Sequence, residues 1–162
     1  MDISPGFTEF ASAYAQGKAQ ALHLRLIADM ETPVSAFLKL AEGRENAFLL
    51  ESVQGGETRG RYSIICLNPD LLWRCQNGKA EINRNALAGG AFVPAEAPDA
   101  PLDSLKRLMR EVRMDLPPNL PPMAVGLFGY LGYDLVRHME RLPNQPPDVL
   151  RVPDAIIMRP TI

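Results

Sequence analysis

Asn77-Gly78 lies between two runs of strand-forming residues, Leu71 to Gln76 and Lys79 to Arg84. Asn followed by Gly suits a two-residue turn in which both central residues take positive φ, and the twist of that turn matches an antiparallel strand pair. The two runs are therefore predicted to fold back on each other as a hairpin. Upstream, Ala47 to Val53 is apolar until its end, Gln54 to Gly60 is a Gly-rich loop, and Arg61 to Leu67 is β-rich again. Asn68-Pro69-Asp70 reads as a turn. Residues 47–84 are thus expected to form a β-meander.

The flanks carry helical spacing. Thr8 to about Gln20 is predicted as a helix capped by Thr8, with Phe7, Phe10, Ala11, Tyr14 and Ala15 on one face. Leu22-His23-Leu24-Arg25-Leu26 alternates as a half-buried strand does. Thr32-Pro33 is a hydroxyl cap followed by proline, and Val34, Phe37, Leu38 and Ala41 then recur on one helical face before Gly43. Residues 85–101 read as a linker. Asp103 to Met114 is predicted as a helix whose stripe is Leu102, Leu105, Leu108, Met109 and Val112. Four prolines break up Leu116 to Pro122. Met123 to Leu131 is expected as a strand, and Asp134 to Arg141 as a short helix capped by Asp134. Val149 to Ile162 reads as extended, with Ala155-Ile156-Ile157-Met158 as a buried strand. An apolar strand at the end of a chain implies either a central place in a sheet or a piece of something longer; the second is the expectation. The fold class is α+β: an antiparallel β-sheet packed by helices, with residues 1–162 as one region.

Composition narrows the function classes. The chain has 162 residues, 46% hydrophobic, with 17 Lys and Arg against 19 Asp and Glu. That excludes wholesale disorder and gives no basic field for nucleic acid. No apolar run approaches the roughly 18 residues of a membrane span, and no signal peptide is visible, so a cytoplasmic location is expected. Two cysteines are too few for a disulfide scaffold.

Catalytic signatures are missing. There is no phosphate-binding loop, no G-x-S-x-G and no H-E-x-x-H. His23, in the polar phase of its strand, and His138, beside Arg137, Glu140 and Arg141, both read as solvated. Cys66 and Cys75 flank a turn and could face each other across a strand pair; two ordinary reduced thiols is the simpler reading. A metal site needs more ligands than these residues offer. No catalytic residue and no metal ligand is assigned.

One stretch could hold a small zwitterion. Leu49-Leu50-Glu51-Ser52 ends a strand, with Leu50 and Ser52 on one face and Glu51 on the other. Arg61 starts the next strand. A carboxylate or hydroxyl oxygen accepts from an ammonium, and a guanidinium donates to a carboxylate. The plainer alternative is a strand that turns polar as it enters a solvated loop. Gly126, Gly129 and Gly132 do not have dinucleotide-binding spacing; they mark close backbone or aromatic approach, with Tyr130 and Tyr133 packed nearby.

Residues 49–65, L-L-E-S-V-x-G-G-E-x-R-G-R-Y-S-I-I, resemble the N-terminal signature of the anthranilate synthase component I family. Leu67-Asn68-Pro69-Asp70 continues it. Gly129-Tyr130-Leu131-Gly132-Tyr133-Asp134 resembles the second N-terminal signature, and Pro153-Asp154-Ala155 the next. Pro33-Val34-Ser35-Ala36-Phe37 fits too.

The resemblance implies the N-terminal part of an enzyme that makes anthranilate and pyruvate from chorismate and glutamine or ammonia. Such an enzyme works in tryptophan biosynthesis with a glutamine amidotransferase subunit (component II), uses Mg²⁺, and is inhibited by L-tryptophan. The chorismate and Mg²⁺ residues of the family lie in a C-terminal half with no counterpart here. The isolated chain is therefore expected to be inactive, to hold no cofactor, and to self-associate through uncovered apolar surface. Leu50, Glu51, Ser52 and Arg61 match the tryptophan pocket of the family. Part of that pocket, an N-P-S-P-Y-M stretch, is absent, so weak tryptophan binding is expected of the chain alone. Two alternatives remain: the matching part of aminodeoxychorismate synthase component I, and a free-standing amino-acid-binding module.

Overall fold

A computed structural model describes residues 3–52, 62–95, 100–117, 119–144 and 147–162. The chain divides into two compact units, Met1–Glu31 with Val112–Gly126, and Thr32–Glu111 with Leu127–Ile162.

The first unit carries helix α1, Phe7–Ala15. It begins after Gly6 without a side-chain cap, so Thr8 is not the cap. It stops well short of Gln20 because Gly17 adopts φ +67°, letting the Gly17 and Lys18 amides close onto the carbonyls of Tyr14 and Ala13. The expected strand at 22–26 is reduced to a single bridge between Ser4 and His23. Alternation marks a strand only where a partner runs beside it, and among the described residues none does. None of the described residues of this unit is buried.

The second unit holds the core. Helix α2, Pro33–Ala41, starts as predicted: Thr32 Oγ1 accepts from the Ser35 amide, and the Ser35 hydroxyl accepts from the Thr32 amide. Strands β1, Phe48–Glu51, and β2, Ser63–Cys66, form a two-stranded antiparallel sheet. Strands β3, Pro69–Gln76, and β4, Lys79–Asn83, form the predicted hairpin, with Asn77 at φ +51° and Gly78 at φ +72°. The meander is nevertheless broken. Asn68 turns left-handed at φ +51°, Pro69 opens β3 rather than sitting in a turn, and β3 joins a different sheet from β2.

That second sheet runs β5-β4-β3-β7-β6, antiparallel throughout. Here β5 is Val93–Pro94, β6 is Phe128–Leu131 and β7 is Ala155–Pro160. The linker at 85–101 therefore contains a short edge strand, preceded by a 3-10 turn at Ala86–Ala88. The apolar run of β7 is explained by its place between β3 and β6.

Register sorts the sheet into two faces. Trp73 lies opposite Ile82 and Ile157, and Cys75 opposite Ala80 and Ala155. Helix α3, Pro101–Glu111, has buried Ser104, Leu105 and Leu108. The Trp73 indole N–H donates to the Ser104 hydroxyl at 3.1 Å, fixing α3 to that face. Met109, expected in the apolar stripe, is exposed. The other face carries Leu72, Met158 and Phe128, and the Phe128 ring meets Phe48 of β1 at 6.2 Å.

Glycine is required where β6 meets β7. A Cβ on Gly129 would lie 2.0 Å from the Ile156 carbonyl oxygen, and one on Gly132 would lie 2.8 Å from that of Asp154. The aromatic neighbours do not pack as expected: Tyr133 is exposed, and Tyr130 donates its hydroxyl to the Pro153 carbonyl at 2.8 Å. The strand expected from Met123 begins only at Phe128. The helix expected from Asp134 is a 3-10 turn, Tyr133–His138, entered from Gly132.

Candidate functional site

The two-stranded sheet carries the predicted ligand-facing residues. Phe48 pairs with Cys66, Leu49 with Ile65, Leu50 with Ile64 and Glu51 with Ser63. Burial falls along β1: Phe48 and Leu49 are half-buried, while Leu50, Glu51 and Ser52 are exposed. The first half of the strand is held by the Phe48–Phe128 contact and by α2, which packs on β1 and β2. Past Leu50 that support ends and the chain turns polar. Leu50, Glu51 and Ser52 thus follow one another at an exposed strand end, with Leu50 and Glu51 on opposite faces of β1, and carboxylate and hydroxyl are open to a solute. Arg61 and the Gly-rich loop at 54–60 lie outside the described residues, so the opposition of Arg61 to Glu51 is not on view.

An open cleft of about 490 Å³ lies beside the C-terminal half of α2, lined by Phe37, Leu38, Ala41, Glu42, Arg44 and Ala47. None of Leu50, Glu51 and Ser52 lines it. Its floor is partly fixed by Arg44, whose Nη1 donates to Asn68 Oδ1 at 2.8 Å.

A second grouping was not anticipated from the sequence. Cys75 on β3, His138 at the end of the 3-10 turn and Asp154 just before β7 converge at one end of the five-stranded sheet. Cys75 Sγ is 3.7 Å from His138 Nε2 and 3.7 Å from Asp154 Oδ2, and the latter two atoms are 3.9 Å apart. Cys75 is fully buried. The His138 and Asp154 side chains keep 20% and 27% of their exposure, so the cluster is partly reachable from solvent. His138 is therefore not the solvated side chain expected. The two cysteines do not face each other either: Cys66 pairs with Phe48 in one sheet, and Cys75 with Ala80 and Ala155 in the other.

Burial pushes the Cys75 thiol up to about 11; the Asp154 charge and hydrogen bond push the same way, and the Gly78 amide at the sulfur opposes them. Burial alone pushes Cys66 up to about 11. Both thiols are free. Sequence spacing could not show the cluster, because its members are 63 and 79 residues from Cys75.

No family model matches the chain. It is similar to anthranilate synthase component 1 of Cereibacter sphaeroides, with 49% identity over 157 residues, 96% of this chain and 31% of that protein. The protein of the same name from Synechocystis is 38% identical over 158 residues, 97% of this chain and 30% of its own length. That from Arthrobacter globiformis is 35% identical over 152 residues, 94% of this chain and 28% of its own length. The chain thus spans about a third of the length of the curated relatives it matches. No helix among the described residues is long and apolar enough to cross a membrane.

Proposed function

Because this chain corresponds to an N-terminal region of anthranilate synthase component 1, we propose that it is the regulatory part of such an enzyme and senses L-tryptophan. The whole protein would convert chorismate and glutamine or ammonia to anthranilate and pyruvate, with an amidotransferase subunit (component II) delivering the ammonia. Its Mg²⁺ would belong to the part of the enzyme beyond this chain, as would the chorismate site. The relatives' names favour anthranilate over aminodeoxychorismate as the product.

The observation that carries the sensing role is the exposed strand end Leu50-Glu51-Ser52 in a chain of this kinship. Glu51 would take the ammonium of the amino acid at the open end of β1, the Ser52 hydroxyl would add an acceptor, and Leu50 would border the site from the other face of the strand. Arg61 would take the carboxylate. Binding would inhibit by favouring one arrangement of the enzyme over another, since a ligand shifts an equilibrium only by unequal affinity for its states. The chain alone, with part of the pocket contributed from elsewhere, would bind tryptophan weakly. The chain by itself would self-associate through exposed apolar side chains of the second unit such as Tyr133 and Val149.

Tryptophan inhibition of the whole enzyme with Ser52→Ala tests this reading. Loss of a hydrogen bond to a charged group is worth about 1.5–3 kcal/mol. The half-inhibiting tryptophan concentration should therefore rise by about tenfold or more. Unchanged inhibition would remove Ser52 from the pocket.

A further inference from the structure

The geometry points to a zinc site formed by Cys75, His138 and Asp154, with the fourth position open to solvent. The three donor atoms form a nearly equilateral triangle with edges of 3.7, 3.7 and 3.9 Å. A tetrahedral zinc ion, with sulfur at about 2.3 Å and nitrogen or oxygen at about 2.0–2.1 Å, sets its ligand atoms about 3.4–3.6 Å apart. The observed triangle needs only a slight contraction to close on an ion.

Hydrogen bonding within the cluster is long. The thiol donates to Asp154 Oδ2 while its sulfur faces His138 Nε2, both at 3.7 Å. Nε2 and Oδ2, at 3.9 Å, are too far apart to bond each other. A cation among the three atoms would engage all of them at shorter distance.

The donor set selects the metal. Thiolate and imidazole suit zinc, whereas Mg²⁺ prefers oxygen ligands throughout. The site is thus a poor match for the Mg²⁺ expected of the whole enzyme. Charge is balanced: the thiol loses its proton to solvent on binding, and thiolate plus carboxylate neutralise the dication around a neutral imidazole. The type I′ turn assists, because the Gly78 amide already donates to the sulfur.

The surrounding sequence positions each ligand. Gly132 donates its amide to the Asp154 carbonyl at 2.8 Å, and its lack of a side chain permits that approach. A Cβ on Gly78 would lie 3.7 Å from His138 Cε1, so the turn runs beside the imidazole ring. Zinc would pin the β3–β4 turn, the 3-10 turn and the start of β7 to one another, adding to the Gly132–Asp154 backbone hydrogen bond.

Cobalt(II) is the probe, since it takes the same geometry and reports sulfur ligation by a thiolate charge-transfer absorption. Metal-free protein titrated with Co²⁺ should give that band at one equivalent, and Zn²⁺ should displace it. His138→Gln and Asp154→Asn, both at partly exposed positions, should each weaken Co²⁺ binding by at least about tenfold, the scale seen when even outer partners of a metal site are lost. Cys66→Ala should keep the band, which assigns it to Cys75 without disturbing the buried ligand. Absence of the band in the parent protein, wild-type affinity in either ligand variant, or loss of the band in a folded Cys66→Ala protein would overturn the proposal.

Discussion

The two sheets of the second unit are built from similar residues and end up in different physical states. The five-stranded sheet places Leu71, Leu72, Trp73, Cys75, Ile82, Ala155 and Met158 in the core. The two-stranded sheet, with Phe48, Leu49, Leu50, Ile64 and Ile65 available, buries only Cys66 fully. Apolar content does not separate them; neighbours do. Strands β3, β4 and β7 each have a partner on both sides, and α3 covers one face of their sheet. A pair of strands has no inner member and is at best marginal without other support. The small sheet borrows that support from α2 and from Phe128, and where the borrowing stops, at Leu50, the chain becomes free to meet a ligand. Proteins commonly seat recognition on such margins of a rigid scaffold.

Trp73→Ala is the strongest way to break this comparison. It empties the largest fully buried side chain and leaves the Ser104 hydroxyl without its donor. Truncation of a buried Trp costs about 3–5 kcal/mol. Urea unfolding followed by circular dichroism should show a loss of that size; fluorescence cannot serve, because Trp73 is the single tryptophan. A loss below about 1 kcal/mol, the range of ordinary substitutions, would mean that the large sheet is not the seat of stability.

Thr32→Ala addresses the other side. It removes one half of the cap that starts α2, worth about 0.5–2 kcal/mol. Because α2 supports the small sheet, hydrogen exchange should quicken in Pro33–Ala41 and Phe48–Glu51 while β3 and β7 keep their protection. Equal acceleration in both sheets would show that they open as one unit and would erase the distinction.

The same division governs what the sequence discloses. Local chemistry is legible: Asn77-Gly78 specifies its turn, Thr32-Pro33 its helix start, and Ala155 to Met158 a strand, with Ala155 and Met158 buried and Ile156 and Ile157 half-buried. Each depends on residues within a few positions. Pairing between distant segments is not legible, which is why β2 and β3 read as neighbours in a meander although β3 pairs with β7, Leu72 opposite Met158. Leu22 to Leu26 shows the converse: a good strand pattern is not a strand without a partner. The strand end at Glu51 and Ser52 was visible because β1 turns from apolar to polar there. The Cys75, His138 and Asp154 cluster was not, since it exists only after the sheet has closed.

If apolar burial sustains the large sheet, the ion pairs on its rim contribute little, and acid titration measures how little. Arg84 donates through Nη1 and Nη2 to both carboxylate oxygens of Glu111, joining the end of β4 to the end of α3. That hydrogen bonding, helped by the Arg84 and Arg159 charges, holds the Glu111 carboxyl below its ordinary range against the opposing effect of burial. A carboxyl with a depressed folded pKa adds stability above its unfolded pKa of about 4.3, and that contribution disappears as pH falls through the lower folded value. Both side chains are about half exposed, so solvent screens the pair and its worth falls within about 1 kcal/mol, toward the lower part of that range. Glu111→Gln should therefore lower stability slightly at neutral pH, and the deficit should vanish on acidification below the folded pKa and shrink in high salt. A deficit that persists unchanged in acid would place the role of Glu111 in packing rather than charge, and one approaching the Trp73→Ala loss would make the rim, rather than the core, the support of the large sheet.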